Sequence, residues 1–159
     1  MSVAFTKESD LEATAADLPD RPIPAHPNLV TPRGLALIDA ELAAAKAAHA
    51  AAQASDAISV DRTAMARATR DLRYWSARRA SAQLIDPRTG GETVAFGNIV
   101  TLERDDGRSQ RWAIVGDDEA DPAAGSVSYM SPLARAVIGK AVGDIVTIAG
   151  QEAEITAID

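Results

Sequence analysis

The sequence predicts an α+β protein in two parts: an N-terminal antiparallel coiled-coil helical hairpin, followed by a small antiparallel sheet domain with one short helix. Three observations predict it. Between Thr31 and about Leu84, apolar and small residues recur at alternating steps of three and four, the spacing of a helical seam. The run Asp86-Pro87-Arg88-Thr89-Gly90-Gly91 then breaks all periodicity. Beyond it apolar residues alternate with polar ones, as in half-buried strands, interrupted once by a helix start at Ser131-Pro132. The expected boundaries are a disordered or extended tail over 1–30, the hairpin over 31–85, the linker over 86–91 and the sheet domain over 92–159.

The tail contains Pro19, Pro22, Pro24 and Pro27, mixed charge and few large apolar residues, so it has little to bury. His26 lies in it and is expected in solvent. Thr31 then offers an N-cap, and Pro32 fits the first helical position, where a missing N–H costs nothing. Leu35, Ile38, Leu42, Ala45, His49 and Ala52 form the seam of the first helix. Up to Ala54 that helix would be roughly 35 Å long at 1.5 Å per residue. His49 falls on the seam and is expected as a packing residue. Ser55 to Asp61 mixes turn formers with β-branched residues and reads as the bend. On residue type alone, Asp56 is a turn or cap residue and Asp61 a favourable charge at a helix start.

The second helix is expected from about Arg62 to Leu84, with Met65, Ala68, Leu72, Trp75, Arg79 and Ala82 on the seam. Arginines 62, 67, 70, 73, 78 and 79 crowd this segment. They form either a solvated face or a surface for acidic walls or nucleic acid. After the linker, Val94 and Phe96 precede a Gly-Asn turn, and Val100 with Leu102 mark a strand. Asp105-Asp106-Gly107 marks a hairpin turn, and Trp112, Ile114 and Val115 its partner strand. Val127 and Tyr129 follow an acidic run in which Asp117, Asp118, Glu119 and Asp121 put four carboxylates into five positions. Leu133, Ala134, Val137 and Ile138 give the Ser-Pro helix one apolar face. Ile145, Val146, Ile148, Ile155 and Ile158 complete the sheet.

Composition excludes several classes. With no cysteine there is neither a disulfide nor a thiolate metal site, which suits a reducing cytoplasm. No run approaches the ~20 apolar residues of a membrane helix, and the N-terminus lacks a signal-peptide pattern. Net charge is −3 over residues 1–30, +3 over 31–85 and −7 over 86–159. The last third therefore suits a basic protein surface better than a phosphate backbone. Two histidines, one in the tail and one on the seam, cannot complete a Ser-His-Asp set, and no phosphate-binding glycine loop occurs.

The order IVG-D-DEAD, then SPLARAVIGK, then a VGD turn, over Ile114 to Asp144, resembles the C-terminal domain of the bacterial Gre transcript-cleavage factors. The hairpin is similar to their coiled coil, whose opening pattern T-x-x-G-x-x-x-L-x-x-E-L is filled by Thr31, Gly34, Ile38, Glu41 and Leu42, with Ile38 in place of the first Leu. The resemblance covers about residues 30–159. It implies a sheet domain similar in fold to FK506-binding proteins and a transcription elongation factor whose partner is RNA polymerase. It implies that the coiled coil passes through the polymerase secondary channel, so that its tip modulates the active site. The tip acids of the family assist cleavage of backtracked RNA.

Carried onto this chain, the first tip acid falls on Asp56 and the second on Ser59, with Asp61 two residues further. Asp56 and Asp61 are thus the catalytic candidates, with Asp56 sharing a Mg²⁺ with the polymerase. No cofactor of the chain's own is implied. Partner-binding candidates are Met130, Ser131 and Pro132, matched to the family's docking turn, and Asp118, Glu119 and Asp121. The resemblance implies an accessory factor rather than an enzyme, a monomer in the cytoplasm, indirect contact with transcript RNA and none with a membrane. A second reading is a pore-binding regulator or inhibitor that aids no cleavage. A third, a prolyl isomerase, would need a deep aromatic cleft, and the sheet domain offers only Phe96, Trp112 and Tyr129.

Overall fold

A computed structural model describes residues 18–55 and 58–159, with the side chains of all of these except 58–61. The elements in chain order are β1 (Asn28–Val30), α1 (Pro32–Ala54), α2 (Ile58–Ser81), β2 (Ala82–Leu84), β3 (Ile99–Arg104), β4 (Ser109–Val115), β5 (Ser126–Ser128), α3 (Pro132–Val137), β6 (Ile145–Ile148) and β7 (Gln151–Ile158), with a 3-10 turn at Pro122–Ala124. They fall into two compact units. One joins residues 18–26 to Ile38–Ser81, and the other joins Pro27–Leu37 to Ala82–Asp159.

In the first unit α1 and α2 pair antiparallel. Arg79, near the end of α2, bonds Asp39, near the start of α1, with Nε to Oδ1 at 2.5 Å. Both side chains are about half exposed, so this pair marks register more than it stabilises. Ile38 and Ala45 are buried and Leu42, His49 and Ala52 half-buried, while the other α1 residues beyond Ile38 are exposed. That is the expected seam, His49 included. Across it Ala68 and Trp75 are buried and Met65 and Leu72 half-buried.

The last seam position of α2 differs from expectation. Arg78 is buried and Arg79 exposed, because a step of three from Trp75 also stays on one helix face. The helix limits differ as well. α2 starts at Ile58 rather than Arg62, since β-branched residues cost a helix only up to about 0.7 kcal/mol each. It stops at Ser81, because 82–84 pair as β2 in parallel with β1: Asn28 opposite Ala82, Leu29 opposite Gln83, Val30 opposite Leu84. Three-residue strands are too short for an alternation to show.

The second unit is built on a five-stranded sheet of order β5-β4-β3-β7-β6. Its core is Val94, Val100, Leu102, Ile114, Val127, Ala134, Val137, Val146, Ile148, Ala153 and Ile155, with Trp112, Tyr129 and Leu133 packed against it. The inward alternation of the strands and the apolar face of α3 meet here. The sheet is mixed rather than purely antiparallel. β5 runs parallel to β4, because residues 116–125 carry the chain back to the same end instead of folding it into a hairpin.

Two local devices fix the sheet. At the β3–β4 turn Gly107 takes φ +78°, and Asp106 accepts from the backbone N–H and guanidinium of Arg108. The Arg108 side chain above all, and then its backbone N–H, hold the Asp106 carboxyl below its ordinary range. Asn98 is fully buried, and its Nδ2 donates to the carbonyls of Arg88 (2.8 Å), Gly90 and Asp159 while Oδ1 accepts from Ala95 N. One amide thus pins the linker and the last residue to the sheet, and every polar atom of that buried group is satisfied.

Candidate functional site

The residues that resemble a docking surface occupy one corner of the second unit, where β4, the acidic loop, β5 and the Ser-Pro turn converge. Ser131 caps α3, its Oγ accepting from Ala134 N at 3.2 Å, with Pro132 at the first helical position. Gly139 follows the helix at φ +83°, a backbone state that favours glycine and closes it. Its N–H and the carbonyl of Lys140 both bond Val94, so the Gly-Lys pair anchors backbone.

The acidic loop is tied to this turn from the inside. Ser128 Oγ donates to Asp117 Oδ1 at 2.5 Å and accepts from Met130 N at 3.1 Å. Ser131 N also donates to Ser128 O. Met130 and Pro132 are left exposed, and Ser131 is half-buried by its capping role. Asp121 is exposed, and its backbone is held by Ser126 and Ala124. Asp118 is half-buried. The structure therefore brings Met130, Ser131, Pro132 and the loop of Asp118 and Asp121 to adjoining turns.

Glu119 has a role the sequence reading missed. Its Oε2 accepts from Thr31 Oγ1 at 2.5 Å, and Thr31 Oγ1 in turn accepts from Gly34 N at 3.0 Å. Thr31 is the N-cap of α1, so Glu119 places a negative charge at a helix N-terminus, where the dipole favours it. A Cβ on Gly34 would lie 2.7 Å from Glu119 Oε2, so glycine makes room for the carboxylate. The available signal was a capping threonine with glycine three residues on, but nothing in it names a partner 88 residues away. We expect Thr31→Ala to lower stability by about 1–2 kcal/mol, since it removes a cap and unpairs a half-buried carboxylate. Urea unfolding checks this, and a midpoint equal to that of the parent chain would contradict it.

The chain segment before α1 is held at the same corner. Tyr129 Oη donates to the carbonyl of Pro27, and its ring meets Phe96 edge-on at 5.4 Å between centroids. Two of the three aromatics of the sheet domain are thereby committed to internal contacts. Gly116 approaches Leu29 so closely that a Cβ would lie 2.4 Å from the Leu29 carbonyl oxygen. The glycine of IVG is thus required by strand β1.

Of the hairpin candidates, Asp56 lies outside the described residues, and Asp61 lies in the first turn of α2. Among the described residues no group of three or more histidine or acidic side chains is placed to hold a metal ion. No helix among them is long and apolar enough to cross a membrane.

Comparison with known proteins bears on this corner. Residues 89–159 match the family model described as transcription elongation factor GreA/GreB, C-terminal. The transcription elongation factor GreA of Sphingopyxis alaskensis is 47% identical over 68 residues, covering 42% of this chain and 43% of that protein. GreA of Phenylobacterium zucineum is 49% identical over 71 residues, 43% and 45% of the two chains. GreB of Neisseria meningitidis serogroup B is 40% identical over 96 residues, 57% and 59%. The chain thus spans about half the length of the curated relatives it matches. Among solved structures, the GreA factor homolog 1 protein of Thermus thermophilus aligns with 84% of this chain and 99% of its own, at 18% identity and a TM-score of 0.40. Residues 89–159, which carry the Ser-Pro turn and the acidic loop, are thus similar to the C-terminal domain of the GreA/GreB transcription elongation factors.

Proposed function

We propose that this protein is a transcription elongation factor that binds RNA polymerase. The sheet domain docks it through the exposed Met130-Ser131-Pro132 turn and the adjoining acidic loop. The α1–α2 hairpin enters the secondary channel, so that the bend between the helices modulates the polymerase active site. The observation that carries this reading is the match of residues 89–159, which bear the turn, to the GreA/GreB C-terminal family model, beside 40–49% identity to GreA and GreB proteins over 68–96 residues. The net −7 of residues 86–159 supports docking on a basic protein surface.

The chain acts as an accessory factor and leaves the chemistry to the polymerase. Asp56, with Asp61 behind it, is the group that would share a Mg²⁺ with the polymerase, and such an ion activates water for phosphodiester hydrolysis. Carboxylate oxygens suit a loosely held Mg²⁺ that keeps most of its waters. In this account the protein is a monomer in the cytoplasm, brings no cofactor of its own and touches transcript RNA only inside the polymerase. The test is to add the purified protein with Mg²⁺ to stalled, backtracked complexes. Shortened RNA is expected, and unchanged RNA with the protein bound would contradict cleavage stimulation.

A second reading has a specific observation in its favour. Ser59 stands where the family's second tip acid is expected, and a hydroxyl carries no charge for a cation. Under that reading the hairpin occupies the channel and inhibits. Slower elongation without RNA shortening distinguishes it.

A further inference from the structure

Residues 18–26, part of the segment expected as a disordered or extended tail, lie along α2 and are held there by side chains. The Arg21 guanidinium sits 3.8 Å from the centroid of the Tyr74 ring and 5.1 Å from that of Trp75, and its Nη1 is 3.4 Å from Asp71 Oδ1. One residue earlier Asp20 pairs with Arg73 at 3.3 Å. Among the described residues, 18–25 form no backbone–backbone hydrogen bond. Pro19, Pro22 and Pro24 remove donors and hold the segment extended whether or not it is docked. A gap of about 190 Å³ remains between Leu18 and Asp20 on one side and Ala66, Thr69, Arg70 and Arg73 on the other.

We propose that residues 18–26 are a releasable strap that limits how far the hairpin enters a narrow pore. Docked, the described part of the strap adds an extended chain to the two helices alongside Ala66 to Arg73 of α2. Released, it restores a two-helix cross-section and uncovers Tyr74 and the Arg70–Arg73 face. Its fastening suits release. Asp20 and Arg73 are 65% and 68% exposed, so salt or a competing charge weakens their attraction. Arg21 adds a cation–π contact to two rings and an ion pair with Asp71, the two side chains of that pair being 35% and 38% exposed, so it too is open to competition. This proposal rests on the reading that the hairpin enters a polymerase pore.

The test separates the two ideas, and the absence of cysteine in the chain makes site-specific labelling clean. In the free protein, spin labels on Ile23→Cys and Arg67→Cys, both at exposed positions, report strap position. One short distance is expected at low salt, broadening to longer distances at high salt or with Arg21→Ala. An unchanged short distance under both conditions would overturn release. On the polymerase, Asp20→Cys/Arg73→Cys joined by a short bis-maleimide gives a locked strap, and a photocrosslinker at position 67 reports entry. The locked form is expected to bind with unchanged affinity yet crosslink about tenfold less than the Arg21→Ala form. Equal crosslinking by locked and released forms, both bound, would overturn the depth limit. If no form binds the polymerase, the functional reading and the depth limit fail together, and the spin-label distances still decide release.

Discussion

Replacing Gly116 by valine is expected to lower the stability of the sheet domain by about 2–4 kcal/mol. The reason is steric and local. A Cβ at this position would lie 2.4 Å from the Leu29 carbonyl oxygen and 3.6 Å from the Leu29 carbonyl carbon, and backbone cannot swing aside as a flexible side chain can. To make room β1 must move. Its parallel pairing with β2, and the hydrogen bond from Tyr129 to Pro27, would then be lost or lengthened. Gly116→Ala should do the same to a smaller extent. Thermal and urea unfolding measure both variants. A fall in Tm of less than about 2 °C for Gly116→Val would mean that the strand yields at little cost.

The second large effect is expected at the bend. If Asp56 assists the polymerase in hydrolysis, Asp56→Ala should reduce RNA shortening in backtracked complexes by at least about tenfold while leaving polymerase binding unchanged. Removing a ligand for a loosely held cation affects the reaction, not a docking surface formed by another part of the chain. Ser59→Glu should act in the opposite sense, since it supplies a second acid three positions after Asp56, where the family resemblance places one. Cleavage retained in Asp56→Ala would remove this residue from the mechanism. Inhibition without cleavage in the parent chain, converted to cleavage by Ser59→Glu, would favour the regulator.

How much of this was legible depends on sequence separation. The α1 seam could be read residue by residue, because Leu35, Ile38, Leu42, Ala45, His49 and Ala52 are set by one helix's own periodicity. The Ser131 cap, the Asp106-Gly107 turn and the inward residues of the sheet were legible for the same reason. Arg78 in place of Arg79 shows the limit, since two neighbouring positions lie near one face and packing chooses between them. Strands β1 and β2 were not legible, being three residues each and paired across the whole hairpin. Nor was the parallel placement of β5, which the course of the acidic loop decides.

The site divides along the same line. Met130, Ser131 and Pro132 could be found as a turn and a helix start, and the structure shows what braces them: Ser128 between Asp117 and Met130. The bond from Thr31 to Glu119 and the seating of Arg21 on Tyr74 join residues more than fifty positions apart. They arise from tertiary placement, which no local pattern encodes. An acidic run that reads simply as surface charge is therefore split in use, with Asp117 and Glu119 turned to internal hydrogen bonds and Asp121 exposed.

Binding of the purified protein to core RNA polymerase, compared with a Ser131→Ala/Pro132→Ala variant shown to be folded, tests the central claim most directly. The account predicts a saturable complex for the parent chain and affinity lower by about tenfold or more for the double variant, the effect of losing contacts at the centre of a docking surface. Equal binding by the two chains, or no complex with either, would contradict it.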